Sequence, residues 1–230
     1  MLKTIQRKYA FAVLFIIGFS AVLSAQEIVP AGQAFSQISQ RYGQIEDYQA
    51  DMQITMGNVK MSGVVFYKSP NLLRINFSEP KEQVMVSDGE QFMLYLPEQS
   101  VTMSQTLKRH NESTLTAMAA GQGLNLLSRN YAISYLDGPG LVPLAEGSRE
   151  RVRKFRLEWR STEEGFRQII VSVGENGFIR RMEAITKEYQ EVRYDLTNIV
   201  VNQNIPDARF QFDPPPSSYT INNFLFEPEE

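Results

Sequence analysis

The sequence predicts a mainly β protein of the α+β kind, built on a single antiparallel sheet. Three observations carry that expectation. Short runs of strict apolar/polar alternation recur through most of the chain, two hairpin dipeptides of the strongest type separate such runs, and only two segments show helical spacing. The chain has 230 residues, 43% of them hydrophobic, which is enough to build a core and excludes a disordered or collagen-like polymer. With no cysteine there is no disulfide, thiolate nucleophile or cysteine-bound metal, and a single histidine excludes a multi-histidine centre. No metal and no cofactor is therefore expected.

The first 25 residues read as a secretory signal. Lys3, Arg7 and Lys8 precede an apolar run from Ala10 to Leu23, shorter than the roughly 20 residues that span a bilayer, and Ala25 suits the last position before cleavage. Three bases and no acid leave with residues 1–25, so the mature chain, residues 26–230, is more acidic than the formal charge of -3 for the whole. An acidic exported protein is a poor match for nucleic acid. The expectation is an exported protein, without a membrane anchor once the signal is removed, folded as one domain.

Ala31, Phe35, Ile38 and Tyr42 form one apolar stripe at spacings of four, three and four, and Gly43 stands at the expected helix end. From Ala50 the period becomes two, with Met52, Ile54 and Met56 facing one way and Asp51, Gln53 and Thr55 the other. Leu73, Ile75 and Phe77 alternate with Arg74, Asn76 and Ser78, and Phe155, Leu157 and Trp159 with Lys154, Arg156 and Glu158. Asp88-Gly89 separates Gln83 to Val86 from Phe92 to Leu96, and Asn176-Gly177 separates Ile169 to Val173 from Phe178 to Ile185; both are hairpin signals. Runs at Met61 to Tyr67, Val101 to Ser104, Glu191 to Val201 and Phe210 to Phe212 bring the expected total to about ten strands in an antiparallel meander. Between Ser113 and Asn130 the chain reads as a helix carrying Leu115 and Met118, interrupted by Gly121 and Gly123. The glycine- and proline-rich stretch from Asp137 to Arg149 reads as an exposed loop, and the apolar segment from Tyr219 to Phe226 as an added strand or a docking tail. Such a sheet buries its apolar face either by curling into an unclosed barrel plugged by the helices or by stacking as a sandwich; periodicity does not separate the two.

Catalytic residues are not expected. His110 lies in the charged run Lys108 to Glu112, the carboxylate pairs Glu163-Glu164 and Glu229-Glu230 fall in a turn and at the terminus, and no nucleophile elbow or phosphate loop accompanies them. The basic cluster Arg149, Arg151, Arg153 and Lys154 alternates as a solvated strand face does.

The run Tyr67-Lys68-Ser69-Pro70-Asn71-Leu72-Leu73-Arg74-Ile75-Asn76-Phe77, with Glu79-Pro80, Val86-Ser87-Asp88-Gly89 and Tyr95-Leu96-Pro97 after it, resembles the outer-membrane lipoprotein carrier protein (LolA) family. Val173 to Ile179 and the ending Phe210-Gln211-Phe212-Asp213-Pro214-Pro215 match the same family, and order and spacing agree from about Ile38 to Tyr219. The resemblance implies an incomplete β-barrel with an α-helical lid. It implies a monomeric periplasmic carrier of acylated lipoproteins, loaded by an inner-membrane ABC-type release complex and unloaded at an outer-membrane acceptor. The family's best-known members carry an arginine before the Pro-Asn-Leu that holds the lid; this chain has Ser69 there, with Lys68 and Arg74 nearby as candidates for the lid or polar rim.

A saturated chain of about 16 carbons gains roughly 13 kcal/mol on leaving water, so a carrier must shield it in an apolar and adjustable interior. Methionine suits that task because its unbranched thioether repacks easily, and Met52, Met56, Met61, Met85, Met93, Met103 and Met118 supply it. The expected lining is Met52, Ile54 and Met56 from one strand, Leu73, Ile75 and Phe77 from the next alternating run, and Phe92, Leu94 and Leu96 from a third. Leu115 and Met118 would contribute from the lid. The alternative function class is a lipid- or lipoprotein-sensing interaction domain with no transport role. Sensors of that kind usually need a second domain, for which the mature chain leaves little room.

Overall fold

The computed structural model describes residues 29–107, 121–162 and 164–224. The expected signal segment, His110, Glu163, Glu229, Glu230, and the lid positions Leu115 and Met118 lie outside the described residues. A helix α1 (Ala31–Tyr42) leads into six strands: β1 (Asp47–Met56), β2 (Val59–Lys68), β3 (Leu72–Glu79), β4 (Val84–Ser87), β5 (Gln91–Leu96) and β6 (Val101–Thr106). Helix α2 (Gly121–Asn130) follows, then β7 (Tyr131–Tyr135), β8 (Val142–Pro143), β9 (Arg151–Trp159), β10 (Phe166–Gly174), β11 (Ile179–Thr186), β12 (Glu191–Val201) and β13 (Tyr219–Asn222). Among the described residues all thirteen strands join one sheet in the order β13-β6-β5-β4-β3-β2-β1-β12-β11-β10-β9-β7, with β8 on β9. The sandwich alternative is thereby set aside. Two antiparallel meanders are joined through β1 and β12, β13 runs parallel to β6, and the sheet curls without closing because β13 and β7 stand at its two ends.

The alternation that predicted β1 is visible as burial: Tyr48, Ala50 and Met52 are buried and Gln49, Asp51 and Gln53 exposed. Both hairpins form where expected. Asp88 Oδ1 accepts the N–H groups of Glu90 and Gln91, at 2.9 and 2.8 Å, and Gly177 turns with a φ of +78° that other residues rarely adopt. Gly63 serves a different need, since a Cβ there would collide with the backbone of Asn76 and Phe77 where β2 and β3 slip register.

Three strands, β7, β8 and β13, lie beyond the alternating runs read from the sequence. β7 alternates Tyr131, Ile133 and Tyr135 directly after a helix, β8 is a two-residue bridge inside the expected loop, and β13 realises the added-strand option for the C-terminal segment. The strand expected at Phe210 to Phe212 is instead a 3-10 turn, Asp207–Phe210, followed by extended chain. Prolines at 206 and 214 to 216 lack the N–H a ladder needs, and the segment is held by side chains, with Phe210 1% exposed in a cluster with Phe66 and Ile205. Helix α2 includes both Gly121 and Gly123, and the first part of the expected helical stretch, Ser113 to Ala120, lies outside the described residues.

Two further clusters lie on the inner face of the sheet. One joins β1, β2, β3 and β12; the other joins β7, β9, β10 and β11 with α1 and α2. Phe35 of α1 is fully buried edge-on to Phe155, with ring centres 5.4 Å apart, and Ser39 Oγ donates to Asn125 Oδ1 of α2 at 2.8 Å. The described helices thus cover the β7–β11 half. Gly43 ends α1 with a right-handed φ of −64°, so its glycine freedom is not what stops the helix.

Candidate functional site

Strand register places the sequence-predicted lining on one face. Ala50 pairs with Val65, Val65 with Ile75, Ile75 with Met85, Met85 with Leu94, Leu94 with Met103, and Met103 with Ile221. This inner-face row crosses seven strands without a polar residue. Its exposure changes along the way. Ala50, Val65 and Ile75 are 0%, 1% and 7% exposed, Met85, Leu94 and Met103 are half-buried, and Ile221 reaches 40%.

A neighbouring row, Leu73, Ser87, Phe92 and Gln105, is buried throughout. On the other flank, Leu96 pairs with Val101, both half-buried, and Val101 with Tyr219, which is 71% exposed. The inner face is therefore buried at one side and passes through half-buried to exposed apolar residues at the other. On β1 the same trend runs along the strand: Met52 is buried, Ile54 half-buried, and Met56 40% exposed. Phe77, near the end of β3, is 7% exposed and belongs to the cluster against which Ile54, Met61 and Met85 pack.

Lys68 and Arg74 project from the outer face and hold the segment after β12. Lys68 Nζ donates to Ile205 O at 2.9 Å and pairs with Asp207, while Arg74 donates to the carbonyls of Arg209 and Gln211 at 3.1 and 2.8 Å and lies over the Phe212 ring. Burial, and then the charge of Arg209, hold the Arg74 guanidinium below its ordinary value. Ser69 sits at the β2–β3 corner, its N–H donating to Glu46 O at 2.7 Å. Arg151 and Arg153 donate to Leu141 O and Pro139 O and so pin the loop before β9.

Sequence alternation missed the tyrosines of the inner face. Tyr48 and Tyr67 are cross-strand partners with rings 5.3 Å apart, Tyr194 pairs with Ile54, and Tyr42 closes α1 against the same cluster. Burial pushes the Tyr42 phenol up to about 12 and holds those of Tyr48 and Tyr194 well above their ordinary value. Their inward parity on β1, β2 and β12 is the signal that finds them.

A cavity of about 610 Å³ lies where β1, β10, β11 and β12 meet, lined by Thr55, Arg193, Glu183 and Ile170 of one cross-strand row and by Met56, Val192 and Ala184 of the neighbouring row, which has the inward parity. Its lining mixes the charged Glu183, Glu191 and Arg193 with the apolar Met56, Ile170, Ala184, Ile185 and Val192. Among the described residues no cluster of His, Asp and Glu could hold a metal ion, and no helix is long and apolar enough to cross a membrane.

Residues 34–213 match the family described as outer membrane lipoprotein carrier protein LolA. The outer-membrane lipoprotein carrier protein of Haemophilus influenzae strain PittEE is 25% identical over 210 residues, which cover 89% of this chain and 91% of that protein. The one from Bordetella pertussis strain Tohama I is 27% identical over 155 residues, 67% of each. Among solved structures, an uncharacterized conserved protein from Thermus thermophilus superposes with a TM-score of 0.54 at 12% identity, over 83% of this chain and 98% of that one. The Pseudomonas aeruginosa MucA/MucB complex gives a TM-score of 0.51 at 10% identity, over 83% of this chain and 63% of that one. These two likenesses are of fold. With the family pattern matched from within α1 to beyond Phe212, and the sheet curled as that pattern implies, the chain belongs to the LolA family of outer membrane lipoprotein carrier proteins.

Proposed function

We propose that the protein is a periplasmic carrier that shields the acyl chains of lipoproteins on the inner face of its curled sheet and delivers them from the inner to the outer membrane. The observation that carries this reading is the apolar row from Ala50 to Ile221, solid at β1 and increasingly uncovered toward β13. A core needs no such gradient, because apolar surface left in water gives up roughly 25 cal/mol per Å². Met85, Leu94 and Met103 in its half-buried stretch provide the adjustable packing that lets a guest be held and released. In this reading residues 1–25 are the export signal, residues 26–230 are the carrier domain, and Leu115 and Met118 face the acyl chains from the lid. An ABC-type complex at the inner membrane loads the carrier and an acceptor at the outer membrane unloads it.

The test is binding of a fluorescent fatty-acid probe and of a triacylated peptide to the purified mature protein. Leu94→Glu is expected to weaken both at least tenfold while the circular dichroism spectrum is unchanged. Equal binding by wild type and variant removes the inner face from the function. Transfer of the triacylated peptide between two vesicle populations separates carriage from sensing, since a sensor binds without accelerating exchange.

A further inference from the structure

We propose that the half-buried stretch of the inner face is a docking site for the chain's own C-terminal segment, Phe224-Leu225-Phe226, which covers it when no guest is bound and is displaced by an acyl chain. The inference deepens the carrier reading and rests on it. Strand β13 delivers the segment to this face. As its ladder with β6 ends, the Asn223 N–H donates to Ser104 O at 2.7 Å, and Asn223 takes a left-handed φ of +51° that turns the chain out of the strand direction. Phe224 follows, half-buried, with its ring 6.3 Å from that of Phe92 and inclined at 34° to it. Phe92 has the parity of Leu94 on β5, so the turn at Asn223 brings the chain against the inner face.

The half-buried stretch begins beside that contact. Leu94 stands two residues along β5 from Phe92, and Met85 and Met103 are its cross-strand partners. Leu225 and Phe226 come next in the chain, beyond the described residues. Two extended residues span about 7 Å, which is also the spacing of alternate residues on a strand. They are therefore long enough to pass from Phe92 to Leu94 and Met103. Their composition agrees: Phe224, Leu225 and Phe226 are consecutive apolar residues, whereas Glu227, Glu229 and Glu230 after them belong in water. The docked part is thus short. A tether keeps it at high effective concentration, and a small contact leaves it replaceable. A guest then binds only the fraction of molecules whose segment is displaced, and its apparent affinity falls by that fraction.

The experiment compares the mature protein with a chain ending at Asn223, which keeps β13, using the fluorescent fatty-acid probe and circular dichroism. If the segment covers the face about nine-tenths of the time, the shorter chain binds the probe about tenfold more tightly with an unchanged spectrum. A second variant, Phe226→Trp, reports docking directly, with the single native tryptophan, Trp159, as the baseline. The added indole is expected to be shielded from acrylamide in the empty protein and to become accessible when the probe binds. Equal affinity of the two chains overturns the inference alone, as does weaker binding by the shorter chain, which would make the segment part of the guest's site. Tighter binding with an indole open to acrylamide from the outset overturns it too, since the face would then have another cover. Failure of both chains to bind the probe overturns the carrier reading together with it.

Discussion

Asp47 shows how much a single side chain can hold. It is 2% exposed, and its carboxylate accepts the backbone N–H groups of Gln203 and Ile205 at 2.8 and 3.1 Å, fixing the chain where it leaves β12 for the outer face. Asp47→Ala leaves two donors without their charged acceptor and is expected to lower stability by about 2–4 kcal/mol in urea denaturation; Asp47→Asn, which keeps one carbonyl oxygen, should lose less. Tyr42 makes a second residue-scale prediction. Its phenol ionises near pH 10 when unfolded and near 12 in the folded protein, because burial disfavours the phenolate. The stability linked to this group is present in full below pH 10 and is lost as pH rises from 10 toward 12. Urea midpoints should fall across that window, and Tyr42→Phe should flatten the fall; an identical slope in the variant would assign the alkaline loss to other groups.

At the scale of elements, the segment from residue 203 to 212 acts as a strap on the outer face of β2 and β3. Its anchor is Phe210, packed with Phe66 and Ile205, and its main chain is held by Lys68 and Arg74. Phe210→Ala is expected to lower stability by about 3–5 kcal/mol in urea denaturation and to leave acyl-probe affinity unchanged, since the strap and the apolar row lie on opposite faces. Strand β13 has another task. By pairing with β6 from Val101 to Ser104 it covers a backbone edge that could otherwise template association. A chain ending at Ser218 is expected to show concentration-dependent association by light scattering at concentrations where the full mature chain does not. Helix α1 is tied in a third way, through Phe35 and Ser39, so it belongs to the packed half of the molecule.

For the whole molecule, the division that matters is between a half filled by helices and a half whose inner face remains partly open. The β7–β11 half encloses Phe155, Leu157, Ile169 and Val171, all fully buried, under α1 and α2. The β3–β6 half carries the half-buried Met85, Leu94 and Met103. Charge placed in the two halves should act differently. Val171→Asp is expected to abolish cooperative unfolding, whereas Met103→Glu should leave the melting transition within a few degrees and reduce probe binding. A Met103→Glu variant that fails to fold would show this half to be solid core.

The sequence by itself determined the sheet, both tight hairpins and the inward parity of Met52, Ile54, Leu73, Ile75 and Leu94, because alternation and turn chemistry are local properties that survive in nearly any context. It fell short at β7, left β13 open between an added strand and a docking tail, and failed at Phe210, where side-chain anchoring replaced the ladder that alternation suggested. It also left Lys68 and Arg74 without a direction. Only the tertiary structure decided that they grip the strap on the outer face, that four tyrosines meet inside, and that the apolar row opens toward β13. Each of these depends on which strand lies beside which, and that order is set by β1 meeting β12 across most of the chain's length.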